Sequence, residues 1–436
     1  MLTSTTSSSP ASVSETKLTP NQIRGFWASW SGWALDGMGS FIYALVLVPA
    51  LRELLPKSGI PVNAANTGFY GGLLFAIFLM GWGSALLWGP VADRFGRART
   101  LLLTILCYAV FAFLCAFVRS IWQLAAFRFM AGFGIGGEWV MGGTFVAEEW
   151  PESRRKTGAG LMHTGYYFGF FVAAIANHFV GETHGWRAMF ITGALPSIPV
   201  AYLMWGVAEP ARWKKQRIAA SARSATGFLG EIFTPRFRRR TLVNSLFVLV
   251  SIIGLWAGSV YVPAAVNEIA ARQGIASSAA RLSTYATMIL SIGTIIGCLP
   301  MAWLSERVGR RKSLAAYFVL TGASIALAFG YIFYWPQHAI SAFLTALFFL
   351  GFGGASFAVY TLWLPEQYPT ECRGSAFAFA TSVGRFVGAG FTFLVGAGVA
   401  HFHTIGVPVA LTSLAFVFGL LFVPLGYETT GQVLPD

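Results

Sequence analysis

The chain has 436 residues, of which 56% are hydrophobic and only 11% are charged. Soluble domains are about 25% charged, so a water-soluble fold of this length is excluded and a membrane is the expected solvent. The net charge of +13 lies in short basic clusters between long apolar runs, which is typical of loops that face an anionic membrane surface rather than of a nucleic-acid-binding surface.

The chain begins with a polar tail and continues through long apolar segments. Residues 1–20 are rich in Ser and Thr and have no apolar core, which predicts a disordered cytosolic tail rather than a signal peptide. A helix needs about 20 mostly apolar residues to cross the hydrocarbon layer. The sequence therefore predicts an all-α transmembrane protein with twelve helices, near 24–51, 65–90, 100–118, 121–147, 157–180, 186–207, 241–264, 282–304, 313–334, 339–363, 374–400 and 406–426.

The distribution of Lys and Arg predicts the orientation of these helices. Segments that share a side of the membrane with the N-terminus carry 22 of the 30 basic residues, and segments on the opposite side carry six. Because short basic loops stay in the cytosol, we expect both termini to be cytosolic.

Two charged motifs occur twice along the chain. The loop after the second segment contains DRFGR at 93–97, which returns as ERVGR at 306–310, an offset of 213 residues. The pattern E-x-x-P-x-x-x-R at 148–155 returns at 366–373, an offset of 218. These nearly equal offsets predict two pseudo-symmetric six-helix halves, at 21–207 and 241–428. Parallel repeats of this kind are typical of transporters in which two halves rock about a central site.

The one long connection, 208–240, is a basic cytosolic linker between the halves. It contains KKQRIAASARSATGFLGEIF, in which apolar residues recur at partly helical spacing. This pattern indicates either a helix on the inner membrane surface or a solvated linker.

Several of these motifs carry a family resemblance. GPVADRFGRART at 89–100 resembles the loop 2–3 signature of the major facilitator superfamily, and the second half keeps a degraded copy. WALDGMG (33–39), RFMAGFGIGGEW (128–139) and PEQYPTECRG (365–374) resemble the proton symporters of organic acids, including the sialate and aromatic-acid branches. The resemblance implies a twelve-helix facilitator fold that imports an organic acid with protons by alternating access. A monocarboxylate, an aromatic acid or a sialate-like acid is the expected substrate.

The resemblance assigns the charged motifs to a network that holds the cytosolic side shut. Gly89 and Gly96 lack side chains, so a neighbouring helix end can approach closely there. Charges at the seam can pair across the halves in one state and separate in the other. The alternative is a positively charged anchor without a gating role. The predicted gating residues are Gly89, Asp93, Arg94, Gly96, Arg97, Glu148, Arg155, Glu306, Arg307, Arg310, Glu366 and Arg373.

Charged residues within the apolar segments are costly and usually functional. Counted from charged residues at the expected cytosolic ends of their helices (Arg24, Glu148 and Arg373), Asp36, Glu138 and Arg385 lie about 15–18 Å along these helices, near mid-bilayer. We predict that Asp36 and Glu138 couple protons and that Arg385 binds the substrate carboxylate through its planar guanidinium. Alternatively, Asp36 and Arg385 pair only to hold the halves together. Arg128 is a further substrate-binding candidate, or it extends to the outer interface.

Aromatic residues near the same depth are weaker candidates for lining the site. Under the 218-residue offset, Tyr167 corresponds to Arg385, and Tyr166 precedes it; the other predicted substrate-binding aromatic residues are Trp256 and Tyr360. His163 is interpreted as a packing residue. The resembling symporters often carry Asp-Gly-x-Asp, whereas this chain has Asp36-Gly37-Met38-Gly39, so coupling would rest on Asp36 or Glu138.

The sequence also limits the other function classes. A sugar carrier, a drug carrier and a transporter-like nutrient sensor stay as alternatives. No nucleotide motif or clustered His, Asp or Cys indicates an enzyme or a cofactor. The four cysteines (Cys107, Cys115, Cys298 and Cys372) lack metal-ligand spacing and are interpreted as packing residues. We expect a plasma-membrane monomer, in the inner membrane if the source is bacterial, whose partners are an organic anion, protons and lipid.

Overall fold

The computed structural model describes residues 17–219 and 230–435, and within these ranges the regular structure is entirely helical. The predicted tail therefore lies mostly outside the described residues, as does part of the predicted linker helix. The helices of the first range are α1 (Pro20–Lys57), α2 (Ala64–Ser84), α3 (Trp88–Phe95), α4 (Arg97–Leu114), α5 (Ile121–Glu149), α6 (Arg155–Ala176), α7 (Glu182–Ala194), α8 (Ser197–Trp205) and α9 (Ala211–Ala219).

The second range is also a series of long and short helices. Its helices are α10 (Arg238–Val260), α11 (Val262–Arg272), α12 (Ala279–Cys298), α13 (Met301–Val308), α14 (Arg310–Gly330), α15 (Ala339–Gly354), α16 (Ser356–Trp363), α17 (Arg373–Phe402), α18 (Gly406–Leu411) and α19 (Leu414–Phe422).

Local sequence signals explain where several helices begin. The Thr19 side chain accepts a hydrogen bond from the Gln22 backbone while the Gln22 side chain accepts one from the Thr19 backbone, a capping box that starts α1 at Pro20. Asn63 and Ser120 cap α2 and α5 in the simpler way, each accepting a bond from the backbone N–H three residues later.

Ten helices, some of them joined from adjacent segments, are long and apolar enough to cross a membrane. The predicted spans at 121–147 and 241–264 fall on α5 and α10, which have 29 and 23 residues but are not among these ten. In α5 two buried ionisable side chains, Arg128 and Glu138, lie in the apolar part of the helix and lower its mean hydropathy. The count of twelve spans thus stays a prediction.

Helices of the two predicted halves contact each other along two seams. Within the first half, α1 packs against α6 and α5, and α5 also packs against α2 and α4. Between the halves, α2 and α3 contact α17, and α6 contacts α12 and α16. These seams bring α1, α2, α5 and α6 together with α10, α16 and α17 around the centre of the molecule.

The described ends of the linker are docked against the helices. Trp213 of α9 is 5% exposed and donates a hydrogen bond from Nε1 to the Asp93 carbonyl at 3.0 Å. At the other end, Ile232 and Phe237 are buried against Tyr368. Each end is therefore anchored to the helices by buried apolar side chains, while residues 220–229 of the predicted surface helix lie outside the described part of the chain.

Candidate functional site

A small cavity lies where the two predicted halves meet. Its volume is about 30 Å³, room for one or two water molecules. Helices of both halves contribute its walls, which are largely aromatic. The lining residues are Trp33, Trp82, Trp139, His163, Tyr166, Tyr167, Ile252, Phe357 and Arg385.

Arg385 of α17 is the one cation that lines this cavity among the described residues. Its side chain is buried, and Nη1 donates a hydrogen bond to the Thr381 carbonyl at 3.0 Å. Its guanidinium carbon lies 4.4 Å from the ring centre of Trp82 and 5.5 Å from that of Trp139. None of the ion pairs among residues 17–219 and 230–435 includes Arg385. The structure therefore does not pair it with Asp36.

The carboxyl groups of Asp36 and Glu138 face each other beside the cavity. Both side chains are fully buried, and none of their four oxygens receives a hydrogen bond from another described residue. Gly32, one turn before Asp36 on α1, makes room for this arrangement, because a Cβ atom there would lie 2.5 Å from Glu138 Oε2. Two buried carboxylates in contact repel each other unless a proton lies between them, so the pair is suited to hold a proton.

A tyrosine fills the space next to Gly39. A Cβ atom at this glycine would lie 2.2 Å from the hydroxyl oxygen of Tyr108. Tyr108 belongs to α4 and its side chain is 1% exposed. No periodicity or motif singled it out, because its position beside α1 depends on how α4 packs. The chain therefore has a phenol where a second acid on α1 would point.

Arg128 is enclosed within the first half rather than extended to the surface. It is 1% exposed, and its guanidinium carbon lies 4.2 Å from the ring centre of Tyr43 and 4.1 Å from that of Phe78. Its Nε and Nη2 have no hydrogen-bond partner among the described groups. Cation–π contact with two rings stabilises the charge only in part.

The predicted aromatic residues occupy different places. Tyr166 and Tyr167 line the cavity, and the ring of Tyr166 lies 4.7 Å from that of Trp33. Tyr360 does not line it; its hydroxyl bonds to the Phe247 carbonyl and to Ser251, both at 2.8 Å. The side chain of Trp256 is outside the described part of the structure.

A layer of aromatic side chains separates the cavity from the charged residues of the repeated motifs. Trp139 Nε1 of α5 donates a hydrogen bond to Thr361 Oγ1 of α16 at 2.8 Å, across the seam between the halves. The Trp139 ring also contacts those of Phe357 and Phe377, at 5.6 and 5.2 Å between ring centres. These contacts close the site on one side.

Beyond this aromatic layer, Arg97, Glu148 and Arg373 form what we call the first ion cluster. Both oxygens of Glu148 accept hydrogen bonds from Arg97, at 2.9 and 3.0 Å. Glu148 Oε1 also accepts a bond from Arg373 Nη1 of the other half at 2.9 Å. Arg97 further donates to the carbonyl of Thr370 at 2.7 Å. All three charged side chains are buried, so this cluster links the two predicted halves through ion pairs that are shielded from water.

Arg310, Glu366 and Arg155 form a second ion cluster related to the first by the repeat. Both oxygens of Glu366 accept bonds from Arg310 at 3.0 Å. Glu366 Oε1 also accepts a bond from Arg155 Nη1 of the first half at 2.8 Å. Each cluster thus joins a glutamate and an arginine of one half to an arginine of the other.

Asp93 adds a third contact between the halves. Its carboxylate accepts hydrogen bonds from the backbone N–H groups of Gly374 and Ser375, at 3.2 and 2.8 Å, and from the Ser375 hydroxyl at 2.6 Å. It thereby caps the N-terminus of α17. The close approach depends on Gly89, where a Cβ atom would lie 2.6 Å from Ser375 Cα.

The counterpart of Asp93 in the second half makes a weaker contact. Glu306 is exposed and pairs with Lys156 at 2.6 Å, and with Arg310 of its own half. Arg94 and Arg307 do not join the clusters. They are exposed and lie over the rings of Phe95 and Trp303.

Two further glutamates cap helices on the side of the ion clusters, and the sequence interpretation missed both. Glu209 accepts bonds from the N–H groups of Ala98 and Arg99 at the start of α4. Its carboxylate lies against Gly96, whose φ of +112° favours glycine. Their positions could have indicated these caps, because an acidic residue follows the last apolar segment of each predicted half.

Glu428 caps α14 of the second predicted half in the same way. It accepts bonds from the N–H groups of Arg310 and Arg311 beside Gly309, whose φ is +91°. Burial alone would raise the pKa of Glu428, but hydrogen bonds from Thr430 and from these two N–H groups hold that pKa below its usual value. The Glu428 carboxylate therefore stays charged as a cap.

Comparison with known proteins places this architecture among transporters. The profile of the Major Facilitator Superfamily matches residues 30–269 and 247–435. A probable 4-methylmuconolactone transporter of Cupriavidus pinatubonensis is 30% identical over 96% of this chain and 93% of its own length. The niacin transporter NiaP of Acinetobacter baylyi is 28% identical over 94% of each chain.

A solved structure shares the fold. The proton:xylose symporter XylE, bound to 6-bromo-6-deoxy-D-glucose, superposes with a TM-score of 0.80 over 95% of this chain and 98% of XylE. The sequence identity is 16%, so this likeness concerns the fold alone.

Proposed function

Because this chain belongs to the Major Facilitator Superfamily, we propose that it imports an organic acid together with protons by alternating access. It is a multi-pass transport protein of the plasma membrane and not an enzyme. In the proposal, twelve helices form two six-helix halves at 21–207 and 241–428, with the linker 208–240 and both termini in the cytosol, and the protein works as a monomer.

The observation that carries the proposal is a buried arginine in the central cavity that forms no ion pair with an acid among the described residues. Arg385 is held in place by Thr381 and by two tryptophan rings, which fix its position but supply no negative charge. An uncompensated buried charge costs several kcal/mol. A substrate carboxylate that binds the guanidinium offsets this cost, whereas a cationic drug would add to it.

The acid pair supplies the proposed proton site. Asp36 and Glu138 lie in contact and out of water, with no cation bonded to either. A proton between them removes the repulsion, and its loss creates a charge that the site can keep only if water or a cation reaches it. Binding and release of that proton therefore favour different conformations, which is what coupling requires.

The ion clusters give the proposed gate. Both join the two halves on one side of the cavity, so that side is closed in this conformation. Since the cavity holds only one or two waters, an organic acid must bind in a conformation where the halves stand further apart. Opening toward the cytosol separates Arg373 from Glu148 and Arg155 from Glu366.

The relatives support an organic acid as the substrate class. Their names include 4-methylmuconolactone, niacin, sialic acid, cis,cis-muconate and gallate. We propose a monocarboxylate, an aromatic acid or a sialate-like acid for this chain, bound by Arg385 with Tyr166 and Tyr167 at its side and with Arg128 adding positive potential.

Uptake into proteoliposomes tests the proposal directly. A panel of radiolabelled organic acids is offered with and without an imposed inward proton gradient, and accumulation is expected only with the gradient. Arg385→Gln should raise KM at least about tenfold, because a hydrogen bond to a charged group contributes about 1.5–3 kcal/mol. Exposed Arg119→Gln is the matched control and should resemble the wild type. Equal KM values for the two variants would contradict the role of Arg385.

A further inference from the structure

His163 of α6 has no hydrogen-bond partner although it lines the central cavity. Its side chain is 3% exposed, and neither Nδ1 nor Nε2 bonds to any other described group. A buried polar atom without a partner costs about 1–3 kcal/mol. Such atoms are uncommon in native proteins, and each needs an explanation, for example a partner that a water or a ligand supplies.

The surroundings of the imidazole are aromatic faces. Its ring is parallel to that of Phe357, with an angle of 8° and 5.8 Å between centres. The rings of Trp139 and Trp33 lie at 5.8 and 6.1 Å. A phenylalanine would pack equally well among these rings. Packing therefore does not explain why this position has a side chain with two ring nitrogens.

His163 and Arg385 line the same cavity and lie near the same tryptophan ring. The imidazole is 5.8 Å and the guanidinium carbon 5.5 Å from the ring centre of Trp139. When the halves stand further apart, a flat ligand about the size of one ring that stacks among these aromatic faces can therefore reach both groups. A neutral imidazole offers one donor and one acceptor, which suits a hydroxyl, a ring nitrogen or a carbonyl.

We infer that His163 determines substrate specificity by bonding to a second polar group of the acid that Arg385 holds. The inference rests on the proposed function and narrows it to flat, ring-containing carboxylic acids with a hydroxyl, ring nitrogen or carbonyl away from the carboxylate. An acid without that group leaves the His163 nitrogens unsatisfied and binds more weakly.

The test compares matched ring acids in proteoliposomes. Competition by benzoate, 3-hydroxybenzoate, 4-hydroxybenzoate and nicotinate is measured for the wild type, His163→Phe and His163→Asn. In the wild type the best polar-substituted acid should bind at least about tenfold more tightly than benzoate. His163→Phe should lose this preference while keeping benzoate, and His163→Asn, which still offers a donor and an acceptor, should restore part of it.

Controls separate this inference from the proposed function. Exposed His401→Phe should keep the wild-type preference, and elution as a single species in detergent shows that each variant is folded. Transport of these acids with no preference over benzoate, or a preference unchanged in both His163 variants, would overturn the inference and leave the proposed function intact. Absence of transport of any organic acid would reject both.

Discussion

At the scale of single residues, the absence of a side chain at Gly32 allows the carboxyl groups of Asp36 and Glu138 to come together. Gly32 faces Glu138, whose carboxylate occupies the volume that a Cβ atom would need. The contact is with the far end of a flexible side chain, so a larger residue at Gly32 displaces the carboxylate without displacing the helix. The proposed proton site therefore depends on a residue that has no titratable group.

Gly32→Ala should separate the acid pair and reduce coupling while the protein still folds. We expect proton-driven accumulation to fall at least about fivefold, since altered geometry in a contacting pair typically costs about 1 kcal/mol or more. Substrate exchange without a gradient should change little. Gly72→Ala, where a Cβ atom meets open space, is the control. Equal accumulation by both variants would show that the pair tolerates separation.

Asp36→Asn tests whether Asp36 binds and releases the coupled proton. The amide keeps the shape of the side chain but cannot bind and release a proton, so accumulation driven by a pH gradient should be lost and exchange should persist. Glu268→Gln, outside the cavity lining, serves as the control. Wild-type accumulation by Asp36→Asn would transfer the coupling role to another group.

Some of this site follows from the sequence, and the rest depends on helix rotation. Counting residues from the cytosolic charges placed Asp36, Glu138 and Arg385 at one depth, and the structure puts all three at or beside one cavity. Depth does not give the direction in which a side chain points. The unpartnered nitrogens of His163 and the Tyr108 hydroxyl beside Gly39 could not be predicted for that reason.

At the scale of helices, the contacts that close one side of the cavity are made by helix ends. Asp93 at the end of α3 caps α17 from the other half, and Glu209 and Glu428 cap α4 and α14 within their own halves. If the halves move as proposed, a cap within one half keeps its partner, whereas the Asp93 cap has to break. Helix capping would then stabilise each half at Glu209 and Glu428 and control the movement between the halves at Asp93.

Asp93→Asn should favour the conformation open to the cytosol. The amide can accept the bonds of Gly374 and Ser375 through only one oxygen, and the loss of charge weakens each bond by about 1 kcal/mol. The equilibrium should therefore shift about tenfold or more. Labelling of single cysteines introduced on each face of the cavity, in a cysteine-free background, measures the shift.

Exposed Arg99→Gln, close to Asp93 in the sequence, is the control for this experiment. Cytosolic cysteines should become more reactive and outer ones less reactive in Asp93→Asn alone. Identical labelling of both variants would mean that the motif is only a positively charged anchor.

At the scale of the whole molecule, the repeat gives two ion clusters of the same design. From the offsets of 213 and 218 residues the sequence predicted two repeated six-helix halves, and this organisation stays a prediction. The family resemblance is confirmed by the profile match and the relatives. The repeat did not predict the asymmetry between buried Asp93 and exposed Glu306, because that depends on how closely Gly89 lets α3 approach α17.

The double variant Glu148→Gln/Glu366→Gln should open the cytosolic side further than either single variant. Each glutamate holds a separate arginine of the opposite half, so each substitution removes one independent ionic link. Distances between spin labels on the two halves measure the fraction of open molecules. A double variant indistinguishable from a single one would show that one cluster alone determines closure.

The guanidinium of Arg128, enclosed by two rings and in contact with no described acid, sets up an electric field inside the first half. At 10 Å and an effective dielectric constant of about 20, a single charge changes the energy of another by roughly 1.7 kcal/mol. If the proposed substrate anion passes at this distance, it is stabilised by that amount, whereas an organic cation would be destabilised by as much. Under the proposed function, selection by sign of charge would therefore begin before the substrate touches a binding residue.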